Sequence, residues 1–299
     1  MTQYAPKALA DATAEHRVAA DPVVATVRAR RSLLVYLSYG WLVMVIAAAL
    51  LADVLPLASY AVPVGPPRQA PGFGSLDLLL GTDGQGRSIL SRCVYGAQVS
   101  LVVGAVAGGL GAVVGTALGM SAGHFGGRCD AVVRLVADAM LAFPPLVLLL
   151  ALSAILTPSV RTLLVGLTLL VVPSFIRLSR ATTLTWEGRD FVLAARNMGA
   201  GHRRVLTREV LPNVLPSLGA YVPVVMAALI VAEGSLSFLG MGIPPPRPSW
   251  GGMIAEGKDA IADSPHIVLI PSLVIFLTVF ALNQAGDHLR HRFDRTLRD

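Results

Sequence analysis

Six long apolar segments constrain the fold of this chain more than any other feature. They extend from about Leu33 to Leu57, Val99 to Met120, Leu135 to Leu156, Thr162 to Arg177, Val214 to Leu239 and Ile267 to Gly286. A helix needs about 20 mostly apolar residues to cross a bilayer, because the hydrocarbon core is about 30 Å thick. The pattern therefore predicts an all-α, polytopic membrane protein with six transmembrane helices.

The composition excludes a soluble domain. Of the 299 residues, 54% are apolar and only 14% are charged, whereas a soluble domain carries roughly 25% charged residues. So few charges cannot cover the surface of a water-soluble globule. The two cysteines, Cys93 and Cys129, have neither the number nor the spacing of a disulfide framework or a metal cluster.

The basic residues predict the orientation, since Lys and Arg concentrate in the cytoplasmic connections of membrane proteins. Eighteen of the 24 lie in the two tails and in the second-to-third and fourth-to-fifth connections. Both termini are therefore predicted to be cytoplasmic, and this sidedness explains the net charge of +6 without a nucleic-acid partner. The predicted organisation is a cytoplasmic tail (1–32), a first transmembrane helix (33–57), an extracytoplasmic loop (58–98), a five-helix core (99–286) containing a cytoplasmic loop (181–213) and an outer loop (241–266), and a cytoplasmic tail (287–299).

Glycines recur at four-residue spacing in the second apolar segment. They are Gly104 and Gly108, followed by Gly111, Gly115 and Gly119. This spacing forms a groove on one helix face and allows the backbone of a neighbouring helix to approach closely. We expect this segment to be buried inside the helix bundle.

Two acidic residues, Glu233 and Asp138, lie within apolar segments. An ionisable group at that depth faces the bundle interior or water, and it is a functional candidate by default. Two interpretations of Glu233 stay open: it is a polar residue of a translocation path, or it makes a structural hydrogen bond between helices. An intramembrane enzyme is the alternative class of function, but neither acid lies in a catalytic motif.

One segment, GMIAEGKD at residues 252–259, nearly matches a phosphate-binding loop. The match fails at Asp259, which replaces the hydroxyl residue that would bind Mg²⁺ and adds negative charge beside the phosphates. The preceding PPPRPSW sequence is not a buried strand, and the predicted topology places the segment outside the cell. We therefore expect this chain to have no nucleotide site of its own.

The loop 181–213 carries the most specific signal in the sequence. Residues 191–198 predict a short helix, Gly199 to Gly201 predict a sharp turn, and residues 202–211 predict a second helix stopped by Pro212. We expect Gly199 to need a positive φ. Two short helices that project into the cytoplasm are suited to dock in a groove of a soluble partner.

Several spaced motifs resemble one family of transporters. Ala194, Ala195, Gly199, Leu211 and Pro212 match the spacing of the "EAA" signature of ABC-importer permeases, with Leu193 where the family has Glu. The segments 80–101 (LGTDGQGRSILSRCVYGAQVSL), 123–130 (GHFGGRCD), 233–251 (EGSLSFLGMGIPPPRPSWG) and 283–294 (NQAGDHLRHRFD) fit as well. Together they resemble the C-type permease subunit of dipeptide, oligopeptide and nickel importers.

This resemblance implies a type I ABC-importer permease fold and a multi-pass subunit of the bacterial plasma membrane. It implies a homologous B-type permease, two ATPase subunits that bind ATP and Mg²⁺, and an extracytoplasmic solute-binding protein, with no cofactor and no catalysis in this chain. Coupling to the ATPases is assigned to Ala194, Ala195, Gly199, Ala200, Gly201, Leu211 and Pro212. Trp250 and Gly251 are expected to face the binding protein or to cap the pathway. A peptide is the expected substrate, with a nickel complex, haem or glutathione as alternatives.

Overall fold

The computed structural model describes residues 22–155 and 159–293, and these residues form an all-α fold without a β-strand. The predicted tails lie partly outside the described residues, at 1–21 and 294–299, as does Leu156 at the end of the third apolar segment. The prediction of the fold class is confirmed.

The helices are numbered here in chain order. They are α1 (Pro22–Leu50), α2 (Ile89–Phe125), α3 (Gly127–Ala142), α4 (Pro145–Ile155), α5 (Val160–Glu187), α6 (Asp190–Asn197), α7 (His202–Arg204), α8 (Leu211–Phe238), α9 (Trp250–Gly257) and α10 (His266–Phe293). A π-helical segment, Val205–Val210, joins α7 to α8, and 3-10 turns cover Leu76–Leu78 and Lys258–Ala260.

Five stretches of the described chain are long and apolar enough to cross a membrane. They are Leu33–Leu50, Ile89–Phe125, Val160–Glu187, His202–Phe238 and His266–Phe293. The sixth predicted span, residues 135–156, is not one straight helix: α3 and α4 meet at an angle of 86°. Counting this broken pair as one span gives the predicted number of six.

Proline chemistry explains the break between α3 and α4. Phe143 has φ −82° and ψ 130°, an extended conformation, because the ring of a following proline disfavours helical backbone in the residue before it. Pro144 and Pro145 also have no N–H to donate to the preceding turn. A count of apolar residues does not register this interruption, so the sequence predicted the third span but not its division into two helices.

The other helix ends differ from the predicted spans in a consistent way. α1 ends at Leu50, before the predicted limit at Leu57, while α2 begins at Ile89 and continues to Phe125 on both sides of the apolar segment. Helices extend through polar residues when a cap satisfies their first N–H groups. At α2 this cap is Ser88, whose side chain accepts a hydrogen bond from the Ser91 N–H.

The glycines of α2 pack against two neighbouring helices. A Cβ atom at Gly111, Gly115 or Gly119 would meet atoms of α5, and one at Gly104 or Gly108 would meet side chains of α8. The Ser179 hydroxyl of α5 lies 3.3 Å from the Gly115 carbonyl oxygen, so the two backbones come close at this point. The expected burial of this helix is confirmed, and α2 is central to the bundle.

Candidate functional site

The loop at residues 181–213, called here the coupling loop, contains a glycine turn between α6 and α7. Gly199 has φ +83°, as expected from the sequence. The Gly199 N–H donates to the Arg196 carbonyl at 2.9 Å, and the Ala200 N–H donates to the Ala195 carbonyl at 3.0 Å. This pair of bonds is a Schellman motif, which ends a helix by placing a glycine in the left-handed region. Of the three predicted turn residues, only Gly199 needs this conformation, since Gly201 has φ −70°.

The prediction that Pro212 stops the second helix is wrong. The chain stays helical from His202 through Pro212 to Phe238, because the residues before the proline widen into the π-helical segment. The Leu211 N–H there donates to the Leu206 carbonyl, five residues back. The wider turn accommodates the proline ring, and it tolerates the hydrogen bond that is lost because proline has no N–H.

Buried side chains attach the coupling loop to the helix bundle, and apolar side chains are exposed at the turn. Val192, Val205 and Val210 are fully buried in the main hydrophobic core. Met198, by contrast, is 82% exposed, and Leu193 is 45% exposed. Buried anchors and an exposed apolar tip are typical of a surface that docks on a partner. Of the other assigned coupling residues, Ala195 is buried, while Ala194, Gly201 and Pro212 lie at the surface.

Four polar side chains, called here the His124 cluster, join the coupling loop to the helix bundle. His124 at the end of α2 contacts the Glu187 carboxylate at the end of α5. The same carboxylate pairs with Arg196 of α6. His124 Nε2 lies 2.9 Å from Nδ1 of His202, the first residue of α7. The sequence analysis did not detect this cluster, because its members are far apart along the chain.

At the opposite end of α2, two buried arginines bridge two carboxylates. Arg92 donates to Asp83 Oδ2 and to Glu256 Oε2, both at 2.9 Å. Arg87 donates to the same two oxygens at 2.7 Å and 2.6 Å. The arginine side chains are 1% and 5% exposed, respectively. This network, called here the outer ion cluster, ties the loop 58–98 to α9.

The outer ion cluster lines a cavity of about 260 Å³. Glu256 is its most exposed carboxylate. Burial raises the pKa of Glu256 above the ordinary glutamate value; Asp83 acts in the same direction and Arg87 against it. Each arginine pairs with both carboxylates, although Arg92 Nε has no hydrogen-bond partner, and the cluster acts as a structural joint between the outer loop and α9.

Trp250 and Gly251 are packing residues, not members of an exposed face. The Trp250 side chain is fully buried, and its indole N–H donates to the Cys93 carbonyl at 2.9 Å. A Cβ atom at Gly251 would collide with the backbone of Gly234 in α8. The ring is enclosed between α9 and α2, so of the two roles expected for this segment Trp250 itself fits packing beneath a cap rather than an exposed contact with a binding protein.

Glu233 lies in a buried group of serines. The Ser237 hydroxyl donates to its Oε1 at 2.7 Å, and the Ser100 hydroxyl of α2 lies 3.5 Å from Oε2. Ser249, just before α9, also hydrogen-bonds to it. Glu233 is 1% exposed. Its contacts favour the structural interpretation, a polar joint between α2, α8 and the outer loop.

Asp138 pairs with Arg177 of α5 at 2.7 Å, and both side chains are more than half exposed. A second ion pair, Asp130 with Arg180, also joins α3 to α5. The two pairs hold α3 against α5 over part of its length. Asp138 thus has a basic partner from the neighbouring helix, which the sequence had not identified.

The segment 252–259 has the wrong geometry for a phosphate loop. Gly252 to Gly257 lie inside α9, and Lys258 continues into a 3-10 turn with its ammonium 5.5 Å from the Phe238 ring centre. A phosphate loop needs a strand followed by a glycine-rich loop whose N–H groups face the ligand. Helical hydrogen bonds already engage those groups here.

The arrangement of helices defines the class of protein. The fold matches a chain of the MetNI methionine ABC transporter, solved in inward-facing conformations, with a TM-score of 0.58 and 18% sequence identity. The match covers 68% of this chain and 97% of that chain. A second crystal form of the same transporter matches with a TM-score of 0.57. This chain therefore shares the fold of that membrane-spanning chain of an ABC transporter.

Sequence comparison identifies the family. Residues 115–299 match the family described as "binding-protein-dependent transport system inner membrane component", and the chain belongs to this family. A Brucella suis protein that carries the name of a peptide transport system permease is 38% identical over 281 residues, 93% of each chain. The glutathione transport system permease GsiD of Pectobacterium atrosepticum is 36% identical over 219 residues, 73% of each chain. The chain is a multi-pass protein of the bacterial inner membrane, and the resemblance noted from the motifs is confirmed.

Proposed function

We propose that this chain is the C-type permease subunit of an importer that carries peptides across the bacterial inner membrane. It forms the translocation path together with a homologous B-type permease, and it takes energy from two ATPase subunits on the cytoplasmic side. The observation that carries this proposal is the coupling loop: a rigid glycine turn with an apolar tip, joined to the bundle by a continuous helix.

The coupling loop is the element through which ATPase movement reaches the spans. The stretch 202–238 is helical without interruption, so a push on the turn at Gly199 moves α8 as one body. α8 in turn packs on α2 through Gly104 and Gly108. Rigid-body rocking of packed helices around a central site is the usual mechanism of alternating access. We assign docking on the ATPase to Met198, Leu193 and the residues beside them.

ATP hydrolysis belongs to the partner subunits in this proposal. The segment 252–259 resembles a phosphate-binding loop only in sequence. It is helical and ends in Asp259, so its backbone N–H groups are not arranged to bind the phosphates of a nucleotide. ATP and Mg²⁺ are bound by the ATPases, and this chain transmits their closure without taking part in the chemistry.

The outer surface receives the solute-binding protein. The loop 58–98 is held to α9 by the outer ion cluster, which gives a preformed platform at the extracytoplasmic end of α2. Below it, Trp250 and Glu233 fix α9 to α2 and α8. We assign to α9 the role of a cap over the path, with Glu233 as a structural anchor of that cap.

The names of the relatives support a peptide substrate. The Brucella suis relative aligns over 93% of this chain and is named for peptide transport. Glutathione is the second candidate, since the Pectobacterium atrosepticum relative is named for it. Glutathione is itself a modified tripeptide, so the two candidates share a backbone amide and terminal charges.

Reconstitution tests this proposal. This chain, the B-type permease, the two ATPases and the binding protein are assembled in proteoliposomes containing ATP. Uptake of labelled alanyl-alanine, tetra-alanine and glutathione is then measured against each unlabelled competitor. We expect uptake of at least one of these probes that requires both ATP and the binding protein. Uptake of none of them, while the binding protein co-purifies with a ligand of another class, would contradict the peptide assignment.

A further inference from the structure

The His124 cluster lies where the four helices α2, α5, α6 and α7 meet, next to the turn of the coupling loop. α2 contributes His124, α5 contributes Glu187, α6 contributes Arg196 and α7 contributes His202. The His124 side chain is completely buried, although both of its ring nitrogens are polar. Burial of a polar ring is tolerated only when its hydrogen bonds are made, so these contacts hold the ring in place.

The partners of His124 determine where its protons lie. Its Nδ1 faces a carboxylate oxygen of Glu187, which accepts hydrogen bonds and donates none when ionised. Nδ1 therefore carries a proton. The other nitrogen, Nε2, lies 2.9 Å from His202 Nδ1, and a hydrogen bond at that distance needs one N–H and one lone pair.

The histidine pair can hold at most one extra proton in this geometry. With both rings neutral, His202 donates to His124; with one ring protonated, that ring donates to the other. With both rings protonated, two N–H groups face each other and no lone pair is left between them. The hydrogen bond between α2 and α7 is then lost.

The surrounding charges act against the doubly protonated state as well. Arg196 reaches within 3.4 Å of His124 Nδ1, and Arg203 and Arg204 follow His202 in α7. Glu187 is the acid of the cluster, and Arg196 already shares it. Phe125, whose ring packs against both imidazoles, adds no charge. The surrounding charges therefore add to the loss of the contact when both histidines are protonated.

We propose that His124 and His202 are positioning residues for energy coupling, which make the coupling loop sensitive to cytoplasmic pH. Their hydrogen bond fixes the start of α7 relative to the bundle, so that the turn at Gly199 is presented to the ATPase in one orientation. The bond breaks when both rings are protonated, and transport then declines. This inference rests on the proposed function of the loop in coupling.

The first test compares variants of His202 in the reconstituted complex. ATPase activity stimulated by binding protein loaded with alanyl-alanine is measured between about pH 6 and 8, within the range in which histidine changes charge. His202→Ala should lower the stimulated activity by about fivefold, the factor that corresponds to one hydrogen bond. His202→Asn places a polar atom near the position of Nδ1, so it should retain wild-type activity at pH 8.

The pH profile separates positioning from mere structural support. Activity of the wild type should fall towards pH 6 more steeply than that of His202→Asn, whose amide does not titrate. His288→Asn, at the exposed predicted cytoplasmic end of α10, is the matched control and should keep the wild-type profile. Identical profiles for the wild type and His202→Asn, or loss of activity in His202→Asn equal to that in His202→Ala, would overturn the proposal.

A second measurement does not depend on transport. Hydrogen exchange of residues 190–211 is compared in the purified permease complex, wild type against His202→Asn, at the same two pH values. We expect equal protection at pH 8 and lower protection of the wild type at pH 6. Equal protection at both values refutes the inference, even if the complex transports none of the probes and the proposed function fails.

Discussion

The N–H of Ala200 donates to the carbonyl oxygen of Ala195 at 3.0 Å and closes the turn that Gly199 makes with φ +83°. Together with the bond from the Gly199 N–H to the Arg196 carbonyl, this bond ends α6 and turns the chain towards α7. Apart from Gly199 itself and its two neighbours in the chain, no residue has a heavy atom within 4 Å of where a Cβ on Gly199 would stand. The requirement for glycine is therefore conformational and does not reflect a lack of space.

Replacing Gly199 with valine should uncouple the importer. A side chain in the left-handed region costs about 1–2 kcal/mol, and relief of that strain rotates α7 away from its docking position. Gly199→Val should insert normally but lose most ligand-stimulated ATPase activity and uptake. Gly201→Val is the matched control, because Gly201 has φ −70° and open space around it; wild-type uptake by Gly199→Val would contradict the role of the turn. Leu193→Ala should have a milder effect, since it shortens one apolar side chain of the docking surface and leaves the backbone of the turn unchanged.

The outer ion cluster should be sensitive to loss of Arg92. Arg92→Ala leaves Asp83 buried with Arg87 as its remaining cation, and each lost hydrogen bond to a charged group costs about 1.5–3 kcal/mol. The thermal unfolding midpoint of the purified subunit in detergent should fall clearly. Arg247→Ala, at an exposed position of the outer loop, should leave it unchanged. Equal midpoints for the two variants would show that the cluster contributes no stability.

The α2–α5 contact predicts a contrast between two glycines of the same helix. A Cβ on Gly115 would meet the Val172 carbonyl oxygen at 2.7 Å, while one on Gly109 would meet nothing within 4 Å. Gly115→Ala should destabilise the fold by about 1–3 kcal/mol, because overpacking forces the two backbones apart. Gly109→Ala should be neutral or slightly stabilising. Yield and unfolding temperature of the two variants in detergent check this, and similar behaviour would contradict the packing.

The orientation can be tested at two exposed positions. Phe73 is 97% exposed in the loop 58–98, and Met198 is 82% exposed in the coupling loop. In a cysteine-free background, Phe73→Cys should react with a membrane-impermeant maleimide in intact spheroplasts. Met198→Cys should react only after the membrane is opened. The reverse pattern would show that the basic residues predicted the wrong sidedness.

The purified chain should hydrolyse no ATP by itself. The lookalike loop is helical, and Lys258 contacts the Phe238 ring. Lys258→Ala should therefore leave the ATPase activity of the assembled importer within about twofold of the wild type, since a cation–π contact near the surface is worth about 0.5–1 kcal/mol. ATPase activity of the single subunit that disappears in Lys258→Ala would refute this expectation.

Local patterns in the sequence were sufficient for the helical fold, the number of spans and the coupling turn. Apolar length determines a span because every backbone N–H and carbonyl must be paired inside the hydrocarbon. The turn at Gly199 was predictable for the same local reason: only glycine adopts that φ without strain. The family motifs were also readable, since each is a short run of residues.

The places where prediction failed are those where neighbours decide the outcome. Pro212 does not end its helix, because Leu211 bonds five residues back in a π turn that buried valines support. The burial of Trp250 was not predicted: its indole N–H donates to the Cys93 carbonyl, which lies on another helix. The local preference of a residue such as proline or tryptophan favours one arrangement of the chain, and tertiary packing can override that preference.

The sequence by itself determined which segments enter the membrane, since that depends on the transfer of each segment from water to lipid. Only the tertiary structure decided the partners: Arg92 with Glu256 across 164 positions, Ser100 with Glu233 across 133, and His124 with His202 across 78. No periodicity encodes such pairs, because they arise when separate helices pack and desolvate their polar groups together. Burial then makes each pairing specific, because a buried polar group without a hydrogen-bond partner destabilises the fold.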